Sequence, residues 1–256
     1  MSGLGLGTGV LWLSLVVGLP VAAIVTASFR GGPGAFWAEI TSGEALATLR
    51  LTVGAALGAT AVNAVIGTLV AWVLVRDRFG GQRLLEVVID VPFALPTIVA
   101  GLVLVSLYGP RSPFGVDLVG TRRGIFLALL FVTLPFVVRS VQPVLIDMDT
   151  DVEEAAASLG AGGATIFRRI VLPTIAPAVL AGSALSFARA LGEYGSVILI
   201  SGNLIGRTEV SSAYMLKRIE EGDAASAAAV ATLLLAVAVV VLVVLAALQR
   251  WAARRG

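Results

Sequence analysis

Long apolar blocks alternate with short polar stretches along the whole chain. A transmembrane helix needs about 20 mostly apolar residues to cross about 30 Å of hydrocarbon. Six blocks reach that length, so the pattern predicts an all-α integral membrane protein with six transmembrane helices. No separate soluble domain interrupts them, and residues 1–256 are predicted to form one transmembrane domain. The predicted spans are residues 8–29, 51–75, 84–108, 124–146, 175–200 and 224–248.

The first block has a second interpretation, a cleaved signal peptide, because VAAIVTAS near its end offers small residues for cleavage. The preceding segment, MSGLGLGTG, carries no positive charge. The apolar run is also longer than the roughly 7–15 residues usual in a signal peptide. We therefore expect the first block to be retained as a span.

The composition agrees with a membrane protein and excludes several kinds of chemistry. Of the 256 residues, 58% are hydrophobic and only 13% are charged, whereas soluble domains carry about 25% charged residues. The sequence contains no Cys and no His, which rules out disulfides, thiol nucleophiles, Ser-His triads and metal sites built on those residues. A formal charge of +2 does not indicate nucleic-acid binding. The sequence also has no G-x-x-x-x-G-K-[ST] motif, so we expect no enzyme and no ATP hydrolysis on this chain.

Basic residues flanking the spans do not decide the orientation. An even number of spans puts both termini on one side of the membrane. The side of the termini holds Arg76, Arg78, Arg83, Arg168, Arg169, Arg250, Arg254 and Arg255. The other side holds Arg30, Arg50, Arg111, Arg122, Arg123, Arg207, Lys217 and Arg218. The count is eight against eight, so the positive-inside rule favours neither orientation.

The third block carries both prolines and acidic residues. Glu86 and Asp90 lie one helical turn apart. Pro92 and Pro96 each remove a backbone hydrogen bond and bend or break a helix. Broken helices often line transport sites in membranes, whereas the alternative is a kink that only shapes packing. Asp90 is therefore a candidate for the pathway or its gate, as is Arg139 in the fourth block.

Block five contains a pair of opposite charges at helical spacing. Arg189 and Glu193 are four residues apart and can reach one another on one helix face. An unpaired charge within the membrane is costly, so each should be paired or face water. Either the pair is a salt bridge that locks the bundle, or it belongs to a gate or an anion pathway. In block two, Gly54 and Gly58 form a GxxxG pattern, which favours ordinary helix packing.

The segment 147–174 is too polar to lie in lipid. Thr150 and Glu153 are spaced as a capping box, which predicts a short helix ending near Leu159. Gly160 then suits the position after the helix, where φ is positive. ATIFRRIVLP is predicted to form a second short amphipathic helix, with prolines at 173 and 177 in the first turn of the next span. A helix–turn–helix of this kind is either a solvated loop or a docking surface.

The same segment resembles the EAA loop of bacterial ABC-importer permeases, EAA-x3-G-x9-I-x-L-P. The chain matches it at every specified position: Glu154, Ala155, Ala156, Gly160, Ile170, Leu172 and Pro173. The resemblance implies the architecture of a type I importer permease. It also implies that the loop is cytoplasmic and forms coupling helices that insert into an ATPase subunit. Both termini are then cytoplasmic in a bacterial cell membrane protein.

Two further stretches narrow the resemblance. FARALGEYGSVILISGN, 187–203, looks like the corresponding stretch of sulfate/thiosulfate and molybdate permeases, and VPFALPTIVAGLVLVSLYGP looks like the T-type sulfate permease. The resemblance implies four kinds of partner: a second related permease, two ATPase subunits, an extracytoplasmic substrate-binding protein and the lipid bilayer. ATP and Mg would be bound by the ATPases, with no cofactor on this chain. A molybdate or tungstate permease is the near alternative, and a self-contained channel or secondary transporter is a more distant one.

Overall fold

The computed structural model describes residues 3–253, which form helices joined by turns and loops. Arg254 and Arg255, included in the charge count above, lie outside the described residues. Within the described range, five helices are long and apolar enough to cross a membrane, and a bent pair of shorter helices is a sixth candidate span. The helices are α1 Gly5–Ser28, α2 Gly32–Ile40, α3 Gly43–Arg76, α4 Gln82–Ala94, α5 Thr97–Tyr108, α6 Arg122–Asp147, α7 Asp151–Ser158, α8 Gly163–Leu191, α9 Gly195–Ser201, α10 Ser211–Glu220 and α11 Ala224–Ala253.

Two of the long helices, α3 and α6, begin at residues whose side chains cap them. The Ser42 hydroxyl accepts a hydrogen bond from the Ala45 amide at 3.2 Å and starts α3. The Thr121 hydroxyl does the same for the Gly124 amide at 3.1 Å and starts α6. With 34 residues, α3 is about 51 Å long, well beyond the predicted span 51–75. It therefore extends outside the hydrocarbon of the bilayer.

The centre of the molecule is a bundle of α3, α6, α8 and α11, with α1 lying on α11 and α9 packing on α5 and α6. Glycines bring the backbones together, as small residues do in lipid. A Cβ added at Gly182 would lie 2.8 Å from the Val137 Cα, and one at Gly67 would lie 2.9 Å from the Val137 Cβ. The predicted GxxxG contact is only half present, because Gly58 meets the Phe126 ring while nothing lies within 4 Å of a Cβ at Gly54.

Most buried apolar side chains form two clusters, one towards each end of the bundle. We call the end that carries residues 147–174 the loop end, and the opposite one the far end. Loop-end members come from α3, α4, α6 and α8 and include Leu74, Ile89, Val141, Leu145, Val171 and Ile175. Far-end members include Leu49, Ile125, Phe187, Ile200, Tyr214 and Val230. Between the clusters, the Asn63 amide donates to the Thr133 hydroxyl at 2.9 Å and joins α3 to α6.

The predicted span 84–108 is two helices bent by 119°. Pro92 lies inside α4 without ending it, and the break falls at Leu95 and Pro96. Leu95 has φ −83° and ψ 133°, the extended conformation that a following proline imposes. Of the two prolines noted in this block, Pro96 is thus the one at which the helix ends and the chain changes direction.

The predicted span 175–200 is shifted in the structure. A continuous helix, α8, begins at Gly163 and ends at Leu191, and a separate helix α9 follows. The expected second short helix of the loop is therefore the first part of α8. Pro173 and Pro177 lie within α8 and not in its first turn. A π-helical stretch, Phe167–Val171, precedes Pro173 and lets the backbone continue past a residue that cannot donate a hydrogen bond.

Candidate functional site in the loop 147–174 and the helix bundle

Helix α7 begins differently from the predicted capping box. Thr150 has φ −73° and ψ −20°, which is already helical, and its side chain makes no capping hydrogen bond. The Asp149 carboxylate instead accepts from the Asp151 amide at 3.0 Å. The capping-box prediction is therefore wrong, because the backbone turns into the helix one residue before Thr150 can act as its cap.

The turn after α7 is the predicted one. Gly160 has φ +88°. The Gly160 amide donates to the Ala157 carbonyl at 2.9 Å, and the Ala161 amide donates to the Ala156 carbonyl at 3.0 Å. The second bond spans six residues, as in a Schellman motif, which needs the left-handed conformation at this position. Gly160 thus ends α7 and redirects the chain towards α8.

A contact between distant residues holds α7 against the bundle. The Arg76 guanidinium, at the end of α3, lies 2.5 Å from the Glu153 carboxylate, and both side chains are mostly buried. Trp72 lies under the same guanidinium at 5.7 Å and meets the Phe167 ring edge-on at 5.3 Å. The motif begins at Glu154, so it gave no indication that Glu153 pairs with Arg76. The Glu154 side chain is exposed and leaves its charge open to a partner.

The outer surface of the loop combines apolar and charged side chains. Leu159, beside the turn, is 88% exposed. Among the motif residues, Ala155 and Leu172 are exposed, whereas Ala156, Ile170 and Pro173 are partly buried. Arg168 and Arg169 point away from the buried stripe of α8, as predicted from their spacing. Such a surface suits contact with another protein better than contact with water alone.

Two of the pathway candidates are partners of each other. The Arg139 guanidinium of α6 binds the Asp90 carboxylate of α4 through two nitrogens, at 2.8 and 2.5 Å. It also donates to the Gln142 side chain at 2.6 Å and to the Glu86 carbonyl at 3.3 Å. A two-pronged arginine–carboxylate contact fixes orientation as well as charge. The pair fastens α4, the helix before the proline break, to the bundle.

The other candidate pair lies at the far end, at the junction between the end of α8 and the start of α9. The Arg189 guanidinium lies 2.6 Å from the Glu193 carboxylate, which confirms the contact predicted from their spacing. Glu193 also accepts hydrogen bonds from the Ser196 amide and hydroxyl, both at 2.8 Å. Its side chain is only 1% exposed, while that of Arg189 is 32% exposed. Glu193 therefore holds the start of α9, a role that the spacing alone did not reveal.

A family model described as "Binding-protein-dependent transport system inner membrane component" matches residues 63–255. The chain belongs to this family. The sulfate transport system permease protein CysT of Synechocystis sp. is 41% identical over 252 residues, 96% of this chain and 88% of the relative. The CysT protein of Salmonella typhimurium is 43% identical over 227 residues, 86% of this chain and 82% of the relative. Both relatives are named as permease proteins.

Solved structures of ABC transporters share the fold of this chain. A bacterial ABC transporter involved in the import of the acidic polysaccharide alginate superposes with a TM-score of 0.78 over 95% of this chain and 92% of that one, at 15% identity. The MetNI methionine ABC transporter superposes with a TM-score of 0.64, covering 80% of this chain and 94% of that one, at 17% identity. The fold is therefore that of an ABC importer permease, as the EAA resemblance implied.

A third group of charges lies at the far end of the permease, outside the spanning helices. Glu209, between α9 and α10, is 1% exposed, and neither of its carboxylate oxygens receives a hydrogen bond from a described residue. Burial raises its pKa above the ordinary value of 4.5; Lys217 opposes this and Glu44 adds to it. The Lys217 ammonium lies 2.5 Å from the Glu44 carboxylate. Sequence reasoning missed Glu209, since a loop glutamate gives no sign of burial.

We expect Glu209 to make the stability of the permease fall as pH rises. The native state holds the proton more tightly than the unfolded chain, so its contribution is complete below pH 4.5 and is lost as pH rises through the raised pKa. Replacing Glu209 with Gln should stabilise the protein at alkaline pH and flatten the dependence. The thermal unfolding midpoint of both proteins across the pH range measures this, with exposed Glu220→Gln as the control. Parallel pH curves for wild type and Glu209→Gln would contradict the assignment.

Proposed function

We propose that this permease is the membrane subunit of an ATP-driven importer of sulfate, with thiosulfate as a further substrate, and forms half of its translocation pathway. The observation that carries the proposal is the loop 147–174, whose helix, glycine turn and second helix project from one end of the bundle. The fold of an ABC importer permease and the CysT relatives support the same assignment. The molybdate alternative has less support, because the relatives described above are named for sulfate.

We infer the orientation from the loop. Arg76 and Glu153 join the end of α3 to α7, so the loop end is one membrane face. If that face is cytoplasmic, as the EAA resemblance implies, the described end of α11 also lies at the cytoplasm. In this proposal the protein is a multi-pass bacterial inner-membrane protein with both termini inside, and the far end faces the substrate-binding protein.

The exposed face of the loop is the proposed contact with the ATPase. Leu159 offers an apolar anchor that nothing in the chain covers within the described residues, and Glu154 offers a charge for a basic partner. Two ATPase subunits would bind ATP and Mg, and their closure would move the loops. Rigid-body movement of packed helices then switches the two permeases between inward-facing and outward-facing states. The chain transmits force that the ATPases generate.

The remaining partners are a second permease of the same family and an extracytoplasmic binding protein. One solved structure of this fold is a bacterial alginate ABC transporter in complex with an alginate pentasaccharide-bound periplasmic protein, which supports a binding protein as a partner. Asp90 and Arg139 neutralise each other, and so do Arg189 and Glu193. The Arg139 and Arg189 side chains are both 32% exposed. Arg139 is held by two further acceptors besides its carboxylate partner, so Arg189 is the proposed contact with a passing dianion, by electrostatic attraction. We assign most substrate selectivity to the binding protein.

A single introduced cysteine tests the orientation and the docking face together. The natural sequence contains no Cys, so Leu159→Cys provides one thiol on an exposed side chain. We expect a membrane-impermeant maleimide to label it in inside-out vesicles but not in intact cells. Reassembly with the ATPase should reduce the labelling strongly. Phe114→Cys, which is exposed at the far end, is the matched control and should label from outside, regardless of the ATPase. Labelling of Leu159→Cys in intact cells, or equal labelling with and without ATPase, would refute the proposal.

A further inference from the structure

A wide groove runs between α3 and α6 from the far end into the membrane region. Its volume is about 810 Å³, and it is open along one side. Small residues on α3 create it: a Cβ added at Gly54 would meet no atom within 4 Å. The lining is otherwise mostly apolar and includes Ala47, Ala55, Phe126, Leu127 and Leu130. The groove therefore has the width and the surface to hold a hydrocarbon chain.

Three arginines stand at the far end of this groove. Arg50 comes from α3, and Arg122 and Arg123 come from the first turn of α6. Within the described residues, no carboxylate lies within ion-pair distance of any of them. Arg122 donates one hydrogen bond, to the Arg207 carbonyl at 3.1 Å. The remaining guanidinium nitrogens therefore leave a concentration of positive charge that nothing in the described chain neutralises.

The charges and the apolar lining are separated along the bundle axis. Leu130 lies eight residues beyond Arg122 on α6, which is about 12 Å deeper into the bundle. Gly54 lies one turn below Arg50 on α3. The groove thus presents cations at the membrane surface and an apolar channel beneath them. An inorganic oxyanion would use only the arginines and would leave the apolar length unfilled.

We propose that the groove binds an anionic phospholipid of the leaflet at the far end. Its phosphate lies among Arg50, Arg122 and Arg123, and one acyl chain lies along Gly54, Ala55 and Leu127. Charge complementarity supports this occupant, since guanidinium groups form strong, charge-assisted hydrogen bonds with phosphate oxygens. This site is separate from the transported ion and does not depend on which substrate the permease carries.

Retention of phosphatidylglycerol by the full chain, purified from membranes with its associated subunits, tests the proposal. The protein is exchanged into phosphatidylcholine vesicles with increasing phosphatidylglycerol, and the bound lipid and thermal unfolding midpoint are measured. Two variants probe the two halves of the site. The double variant Arg50→Gln/Arg123→Gln, the charge variant, removes two positive charges and keeps the hydrogen bond of Arg122. Gly54→Leu fills the apolar part of the groove and leaves all three arginines in place. Arg111→Gln, an exposed arginine outside the groove, is the control.

We expect phosphatidylglycerol to stabilise the wild type and the control equally, and both groove variants to bind it about tenfold more weakly. Inorganic sulfate added to phosphatidylcholine vesicles should not reproduce the stabilisation. If sulfate stabilises the wild type but not the charge variant, or if Gly54→Leu binds as the wild type does, the arginines form a site for a free oxyanion and the lipid assignment is wrong. Equal binding by the charge variant would also overturn it. None of these results depends on uptake activity, so a failure here is distinct from a failure of the proposed transport function.

Discussion

Replacing Gly160 with valine is expected to abolish ATP-coupled uptake while leaving the membrane bundle folded. The native φ of +88° is one that a β-branched residue avoids, and forcing it costs about 1–3 kcal/mol. That cost lowers the population of the native turn by about one to two orders of magnitude. The eight-residue helix α7 is too short to hold its position without this turn and its contact with Arg76.

Matched substitutions in the same loop separate backbone strain from added bulk. Gly162 has φ −72° and ψ 154°, and a Cβ there would meet nothing within 4 Å. Gly162→Val should therefore retain most uptake. Gly160→Asn should retain more activity than Gly160→Val, because asparagine tolerates the left-handed conformation. Uptake of labelled sulfate and copurification of the ATPase report the effect. Equal damage at Gly160 and Gly162 would show that the loop senses bulk and not the turn.

Exchanging the charges of Arg189 and Glu193 is expected to fail as a rescue of either single variant. The Glu193 carboxylate accepts two hydrogen bonds from Ser196 besides the ion pair with Arg189. An arginine in its place has no acceptor for the Ser196 amide and is too large for a site that is 1% exposed on its side chain. Removing an acceptor from a buried donor costs about 1–3 kcal/mol, so the N-terminal turn of α9 should be destabilised.

A graded series of variants tests this explanation. Arg189→Lys should keep the ion pair and most of the stability. Glu193→Gln should keep one oxygen for Ser196 and fall between Arg189→Lys and Glu193→Ala, which should be the least stable. Glu220→Gln, an exposed carboxylate at the same end, is the control. Thermal unfolding in detergent and uptake in vesicles are measured together. Full recovery in the charge-exchanged protein would show that the pair is a simple bridge without the helix-starting role.

Features that depend on neighbouring residues were predictable from the sequence. The spans 51–75 and 124–146 fall inside α3 and α6 because a helix in lipid must be apolar over its whole length. The positive φ at Gly160 follows from its position after a short helix. The contact between Arg189 and Glu193 follows from their four-residue spacing, although α8 ends at Leu191 and Glu193 lies in the turn before α9. The identity of the loop came from the resemblance of its motif, because local chemistry favoured a docking surface over a solvated loop without indicating the partner.

Features that depend on packing were beyond the sequence. Arg76 and Glu153 are 77 residues apart, and Asp90 and Arg139 are 49 apart, so only the folded bundle brings them together. The break at Leu95 was not located, because a hydropathy window averages across both prolines. The buried state of Glu209 had no local signal either.

Labelled sulfate uptake tests the central claim most directly. The vesicles contain this permease, its partner permease and the two ATPases, and the substrate-binding protein is supplied on the side of the far end. Uptake should require ATP on the membrane side that carries the loop end and the ATPases. It should be lost in Gly160→Val. Molybdate added in excess should compete weakly. Sulfate uptake that continues without ATPase subunits, or that survives Gly160→Val unchanged, would contradict the account, because the loop would then have no part in driving transport.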